Sequence, residues 1–174
     1  NATVTEFNGK LQLKLEAIVF APADIDKREF LPYSPRPAEE MLQEVLATIM
    51  EFQDKEIQQL TSELIGEAGE TLKKFPAAKQ MHHAEIGGLL HHITSMLKLA
   101  KGIAANYPEL NRDLLLAGVI IHDLGKMQEM ERNELGLVTD YTVQGKLVGH
   151  IVCGAMNIER AGKRGIKIFL YFNE

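Results

Sequence analysis

Apolar and polar residues alternate near the start of the chain, which indicates extended β-strand. Leu11, Leu13 and Leu15 would point to one side of this strand and the polar residues between them to the other. The strand follows Asn8 and Gly9, and an Asn-Gly pair favours the tight turn of a β-hairpin. We therefore expect a hairpin, followed by a proline-rich linker with the sequence APADIDKREFLPYSPRP.

Beyond the linker, the apolar spacing changes to the period of an α-helix, and everything after Pro37 is predicted to be helical. Successive helices are expected after Pro37, after a break near Asp54, from about Ile86 to Ala105, from Leu114 to Leu124, and from Thr139 or Asp140 onward. The fourth of these is apolar on nearly every face, so we expect it to be buried. Asn111 is placed to cap it and Gly125 to end it.

Four of the six histidines of the chain lie in the segment HHAEIGGLLHHITSM, residues 82–96. On a helix whose apolar stripe is centred on Ile93, His92 lies at the edge of the stripe, whereas His91 faces the far side and is expected in solvent. His82 is expected to have no role. A single helix histidine is more often a surface or hydrogen-bonded core residue than a ligand, so His92 gains meaning only from its neighbours in the fold.

His122 and Asp123 lie at the end of an almost wholly apolar helix in the sequence LLLAGVIIHDLGK. A carboxylate there is costly to bury without a partner. It either caps or pairs locally near the helix end, or it shares a cation with the adjacent imidazole and bridges to a second one. Lys126 follows, where its ammonium would meet an anionic substrate or lie in solvent near the helix C-terminus.

The last predicted helix has an apolar stripe made of Val143, Leu147, Ile151 and Ile158. His150 lies at the edge of this stripe, next to Gly149, and a glycine inside a helix usually has a packing reason. Alone, this histidine is a weak signal. Together with His92, His122 and Asp123, it is a candidate ligand for a second metal ion.

Composition limits the classes of function. Apolar residues make up 45% of the chain, charged residues 25%, and the net charge is −5, which argues against a broad basic surface for nucleic acid but leaves a local basic groove open. Cys153 is the one cysteine, so an internal disulfide is ruled out and a reducing, cytoplasmic compartment is favoured. The apolar run LLLAGVII is too short to cross a bilayer, and no membrane partner is expected.

The histidine and aspartate pattern resembles the HD-domain metal-dependent phosphohydrolases, a helical superfamily for which HDLGK is specific. Within it, the string HHAEIGGLLHHITSMLKLAKGIAANYPELNRDLLLAGVIIHDLGKMQEM is similar to the YhaM-type 3′-5′ exoribonucleases, which join an N-terminal OB-fold to an HD domain. VTEFNGKLQLKLEAI and REFLPYSP resemble the end of that OB-fold and its linker. The resemblance covers about residues 3–158.

The resemblance implies a mainly α fold, an HD-domain helical bundle preceded by a β-hairpin that is the remnant of an OB-fold. Residues 1–36 would be the C-terminal strands of the OB-fold and its linker, and residues 37–174 the HD domain. The closing Asp of the family pattern should follow His150 in a later helix, but the tail 159–174 has no counterpart and Asp140 does not match it. We therefore expect a chain shortened at both ends relative to the family, with an incomplete site.

The resemblance also implies roles for individual residues. One or two divalent ions, of Mn, Co, Mg, Fe or Ni type, would bind to His92, His122, Asp123 and His150. Asp123 and Lys126 would take part in catalysis, with Lys126 facing phosphate. His83 would contact the substrate phosphate or hydrogen-bond to a metal ligand.

The implied activity is that of a phosphodiesterase, a 3′-5′ exoribonuclease that acts on single-stranded RNA through a metal-activated water. An HD-type nucleotidase for small nucleotide phosphoesters and a non-catalytic, partner-binding HD-like scaffold are the alternatives. The hairpin and linker favour RNA over the nucleotidase, whereas the lack of closing ligands favours the scaffold. An oligomer is compatible with each of these functions.

Overall fold

The computed structural model describes residues 1–20, 22, 25–80 and 83–162. The elements in chain order are β1 (Ala2–Phe7), β2 (Lys10–Leu15), a 3-10 turn (Lys27–Glu29), α1 (Ala38–Met50), α2 (Lys55–Leu72), α3 (Gly88–Asn106), α4 (Arg112–Ile121), α5 (Lys126–Glu129), β3 (Met130–Arg132), β4 (Val138–Tyr141) and α6 (Val143–Gly162). The chain divides into two compact units, one of residues 1–30 and one from Leu31 onward. A mainly α fold preceded by a hairpin is confirmed.

The first unit contains the predicted hairpin. β1 and β2 pair antiparallel, with Val4 opposite Leu13. Asn8 and Gly9 connect the strands with φ values of 50° and 72°, which Asn and Gly tolerate and which a two-residue hairpin turn of this kind requires. The three leucines of β2 are 62–80% exposed, so the predicted alternation is present without a buried face in this unit.

The second unit has a helical core. α3 lies against α1 and α4, while α2 contacts α4 and α6. The stripe centred on Ile93 is buried, as the helical period predicts. The largest fully buried side chains are Phe52, Phe75, Met41, Ile49, Leu72, Leu89, Leu90, Ile93, Leu97, Leu116, Ile120 and Val45.

Three helices start close to the predicted positions, and two of them have a side-chain cap. α1 begins directly after Pro37, and the Asp54 side chain caps α2. Asn111 caps α4 as predicted, accepting a hydrogen bond from a first-turn backbone N–H at 3.0 Å. Asp113 in the same turn is buried and accepts hydrogen bonds from the backbone N–H groups of Gln53 and Asp54 at 2.6 and 2.9 Å, which attaches α4 to the turn between α1 and α2.

Two expectations about α4 were wrong. The helix is buried on one face only, since Leu114 is 56% exposed while Leu116 and Ile120 are fully buried. Gly125 does not end the helix with a left-handed residue, because its φ of −59° is right-handed and α4 already ends at Ile121. A Cβ on Gly125 would lie 2.1 Å from the backbone oxygen of His150, so close approach of two chain segments explains this glycine.

The expectation of helix throughout the chain after Pro37 was wrong at residues 130–141. β3 and β4 form a short antiparallel pair there, with Met130 opposite Tyr141. The turn between them depends on Asn133, whose side chain accepts hydrogen bonds from two backbone N–H groups, and on Gly136 at φ 87°. A stretch this short carries too few residues to show a strand period.

α6 begins at Val143, later than the predicted Thr139 or Asp140. Its predicted apolar stripe is present but is largely not buried, because Val143, Leu147 and Ile151 are 74–77% exposed. Within the described ranges, no helix combines the length and the apolar character needed to cross a membrane.

Candidate metal centre

The end of α4 orients His122. Its Nδ1 lies 2.8 Å from the backbone oxygen of Val119, so this nitrogen carries the proton and donates a hydrogen bond to the carbonyl. When the ring is neutral, its lone pair is on Nε2, which faces His92 and Asp123. A backbone carbonyl that holds one ring nitrogen and so leaves the other as a ligand is a usual arrangement for metal-binding histidines.

The donor atoms of His92, His122 and Asp123, here called the Asp123 cluster, form a nearly equilateral triangle. His92 Nε2 lies 3.4 Å from both His122 Nε2 and Asp123 Oδ2, and His122 Nε2 lies 3.3 Å from the same oxygen. Ligands of a tetrahedral ion with bonds of about 2.0–2.1 Å are separated by about 3.3–3.4 Å. The cluster therefore has the spacing of three ligands around one ion.

The electrostatics of the cluster keep Asp123 ionised. Its side chain is 7% exposed, and burial raises its pKa, but hydrogen bonds to His122 and Lys126 outweigh burial and hold the pKa well below its usual range. The hydrogen bond to Asp123 raises the pKa of His122, whereas burial lowers the pKa of His92. The charged carboxylate of Asp123 thus faces the imidazole of His92, whose lowered pKa favours its neutral, ligating form.

Lys126 lies in the first turn of α5 and points back at the cluster. Its Nζ is 2.8 Å from Asp123 Oδ2, and its side chain is 18% exposed. The ammonium is thus paired with the carboxylate, and its contact with phosphate stays a prediction.

His150 faces the other oxygen of Asp123, with Nε2 3.5 Å from Oδ1. Glu129 Oε1 accepts hydrogen bonds from the backbone N–H and the ring Nδ1–H of His150 at 3.1 and 3.0 Å. Gly149 permits this, since its φ of 72° and ψ of 169° interrupt α6 just before the histidine. The glycine predicted to serve packing is needed for its backbone conformation.

A second group of donors, here called the His83 cluster, consists of His83, Glu85 and His91. The two Nδ1 atoms are 3.1 Å apart, and each lies 3.3 Å from Glu85 Oε1. The rings of His83 and His92 have centroids 5.7 Å apart, so the two clusters are neighbours. The expectation that His91 lies in solvent was wrong, because its side chain is 19% exposed. The expectation for His82 falls outside the described residues.

Sequence reasoning missed three residues that the structure brings to these clusters: Glu85, His91 and Glu129. Glu85 and His91 flank a Gly-Gly pair, which is a signal of an unusual backbone but does not say which side chains it brings together. Glu129 is the last residue of a four-residue helix and belongs to no apolar period, so nothing local marks it as a partner of His150.

The residues present fit a divalent metal ion. The Asp123 cluster has ligand spacing, and imidazole nitrogen with carboxylate oxygen is a donor set that transition ions accept. Two of the imidazoles also have their proton placed on Nδ1 by an acceptor, Val119 for His122 and Glu129 for His150, so that Nε2 faces the cluster. The arrangement can hold one ion, and the second oxygen of Asp123 offers a place for another.

Comparisons with known proteins match part of this chain to a family and most of it to curated relatives. Residues 89–171 match the HD domain family, which extends beyond residue 158, where the sequence resemblance was expected to end. The chain is 40% identical over 162 residues to the 3′-5′ exoribonuclease YhaM of Bacillus licheniformis, and 39% identical over 162 residues to that of Bacillus subtilis. Each alignment covers 92% of this chain and 51% of the relative, so the chain spans about half the length of the curated relatives it matches. No solved structure matches it.

Proposed function

We propose that this chain, which contains an HD domain, acts as a metal-dependent 3′-5′ exoribonuclease on single-stranded RNA. The observation that carries the proposal is the convergence of His92 Nε2, His122 Nε2 and Asp123 Oδ2 at separations of 3.3–3.4 Å. The choice of RNA rests on relatives that are 37–40% identical over most of this chain and are named 3′-5′ exoribonucleases.

In this proposal the Asp123 cluster holds one divalent ion, and His150 with Asp123 Oδ1 holds a second. Mixed nitrogen and oxygen ligands favour ions of the Mn, Fe, Co or Ni type over Mg, which prefers oxygen alone. When bound, such an ion lowers the pKa of a water molecule and offsets negative charge on phosphoryl oxygens. Glu129 would hold His150 in the orientation that presents Nε2 to the ion.

Two cationic or hydrogen-bonding side chains would act on the substrate. Lys126 contacts Asp123 at 2.8 Å, and its ammonium would turn towards a phosphoryl oxygen and stabilise the charge that develops on it. His83, whose ring lies 5.7 Å from that of His92, would contact a phosphate of the RNA or hydrogen-bond to a metal ligand. Both side chains are accessible to a substrate, since they are 18% and 25% exposed.

The test compares Asp123→Asn and His122→Gln with the unmodified chain. After chelation, each protein receives Mn²⁺, Co²⁺ or Mg²⁺ and 5′-labelled single-stranded RNA, and the products are sized with time. We expect shortening from the 3′ end by the unmodified chain, a drop of about 100-fold or more in both variants, and a parallel drop in bound metal measured by elemental analysis.

Asp140→Asn is the matched control, because Asp140 is an exposed carboxylate paired with Lys146 outside both clusters. It should leave RNA shortening and bound metal unchanged. Hydrolysis of nucleoside phosphates without shortening of RNA would favour the nucleotidase. If no protein, with or without added metal, shortens RNA or hydrolyses nucleoside phosphates, and bound metal is equal in all variants, the non-catalytic scaffold is favoured.

A further inference from the structure

The His83 cluster brings three donor atoms together without using any atom of the Asp123 cluster. His83 Nδ1, His91 Nδ1 and Glu85 Oε1 form a triangle with sides of 3.1, 3.3 and 3.3 Å. Ligands around a tetrahedral ion are about 3.3–3.4 Å apart, as in the Asp123 cluster. Two rings and a carboxylate from a loop and the first turn of α3 therefore meet at metal-ligand spacing.

Hydrogen bonding alone satisfies this group poorly. Each Nδ1–H can donate to Glu85 Oε1 at 3.3 Å, but the two protonated Nδ1 atoms then lie only 3.1 Å apart and repel each other. Burial raises the pKa of Glu85, but its backbone hydrogen bond and the contacts with His91 and His83 outweigh burial, so the pKa is below its usual value. The carboxylate is thus charged, and a cation that accepts all three lone pairs removes the repulsion.

The backbone holds His83 in an unusual conformation. His83 has a φ of 60°, in a region that residues other than glycine seldom adopt. Its carbonyl accepts a hydrogen bond from the Ala77 N–H at 2.9 Å. A Cβ on Gly88 would lie 2.0 Å from that carbonyl oxygen, and Gly87 has a φ of 80°. The Gly-Gly pair therefore allows the loop to direct the His83 ring at His91.

We propose that His83, Glu85 and His91 form a binding site for a divalent transition ion of the Zn²⁺ class, held through His83 Nδ1, Glu85 Oε1 and His91 Nδ1. Two imidazoles with one carboxylate suit this class of ion. The three side chains are 19–25% exposed, which leaves an entry path from solvent. Three protein ligands also leave a coordination position open for water or a phosphate oxygen. The site does not depend on RNA hydrolysis.

The first test counts ions in a background where the Asp123 cluster is disabled. The full chain carrying His122→Gln and Asp123→Asn is freed of metal by chelation and titrated with Co²⁺, whose visible absorption reports tetrahedral coordination. We expect about one Co²⁺ per chain to remain bound. Adding Glu85→Gln and His91→Gln should abolish this absorption, while adding Glu109→Gln, at an exposed carboxylate, should not.

The second test needs no disabled background. Ring ¹⁵N signals of the unmodified chain, labelled at histidine, are followed during addition of Zn²⁺. The His83 cluster would coordinate through Nδ1, whereas His92 and His122 face their cluster with Nε2. Two histidines that ligate through Nδ1, and that no longer do so in His91→Gln, are the expected result.

Absence of Nδ1 coordination in the unmodified chain would overturn the proposal, as would equal Co²⁺ binding with and without Glu85→Gln and His91→Gln. Those outcomes leave the proposed ribonuclease untouched, because its metal binding and RNA shortening are measured at Asp123 and His122. Circular dichroism of each variant separates loss of metal from loss of the helical fold.

Discussion

Asp123 shares its two carboxylate oxygens among four basic side chains. Oδ2 lies within 3.4 Å of His92, His122 and Lys126, and Oδ1 lies 3.5 Å from His150. Burying a carboxylate is costly unless such partners are present, and their presence explains why it stays charged. One residue therefore connects the two positions at which we propose ions.

Glu129 acts on the site through His150, and Glu129→Gln tests that contact. The amide oxygen accepts hydrogen bonds more weakly than a carboxylate, so the imidazole of His150 loses its fixed orientation. We predict that the affinity for the Mn²⁺ proposed at His150 falls by about 10- to 100-fold, measured by isothermal titration calorimetry on chelated protein.

Glu131→Gln is the control for the loss of a negative charge near α5, because Glu131 is exposed and lies in β3, two residues after Glu129. It should leave Mn²⁺ affinity unchanged. The thermal midpoint of each metal-free variant shows whether a change in affinity reflects unfolding. Equal Mn²⁺ affinities for Glu129→Gln and the unmodified chain would mean that Glu129 serves the backbone of α6 rather than the ion.

At the scale of elements, α5 and α6 approach each other through glycine. A Cβ on Gly125 would lie 2.1 Å from the His150 oxygen, and one on Gly145 would lie 2.2 Å from the Glu129 oxygen. Both contacts are with backbone, which cannot move aside as a flexible side chain can. The close packing of these two helices brings Glu129 and His150 together.

Gly125→Ala is predicted to destabilise the chain, because its methyl group would overlap the backbone of α6. We expect the free energy of unfolding in urea to fall by about 3 kcal/mol and the second Mn²⁺ to be lost. Gly118→Ala is the matched control, since Gly118 is exposed in α4 with no atom near an added Cβ. It should raise the free energy of unfolding by about 0.5–1 kcal/mol. Similar changes in the free energy of unfolding for both variants would contradict the close approach of Gly125 to the backbone of α6.

At the scale of the whole molecule, the hydrophobic core belongs to the second unit. Its buried cluster runs from Met41 to Ala161, and among the described residues none before Leu31 contributes to it. The end of the predicted linker is also attached to this unit, because Ser34 donates a hydrogen bond to the Ile86 carbonyl and Ile86 donates one to that of Pro32, both at 2.9 Å. The linker thus reaches the loop that holds Glu85.

A chain without residues 1–30 is predicted to fold on its own. Since it keeps the whole buried cluster, we expect its thermal midpoint to change by less than about 4 °C and its metal content to stay the same. A chain without residues 1–36 loses the two hydrogen bonds to Ile86, so its thermal midpoint should fall further, by about 4–8 °C. Loss of cooperative unfolding in the first of these, followed by circular dichroism, would show that the units depend on each other.

Local features of the sequence predicted the elements well. The Asn8-Gly9 turn, the helix start after Pro37 and the Asn111 cap each depend on residues within a few positions of one another, and each is confirmed. The short pair of β3 and β4 was missed because three or four residues per strand carry no clear period. Periodicity also predicted the stripe of α6, yet it cannot say what lies against a stripe, and this one is largely exposed.

The sequence by itself determined the HD motif residues, the mainly α fold and the likeness to 3′-5′ exoribonucleases, because these follow from residue identity and spacing. Only the tertiary structure decided that His91 turns towards His83 and Glu85, and that Glu129 holds His150. Those contacts depend on positive φ at His83, Gly87 and Gly149 and on the approach of α5 to α6. Backbone angles outside regular helices have no periodic trace in the sequence, so the side chains that they bring together become visible only in the fold.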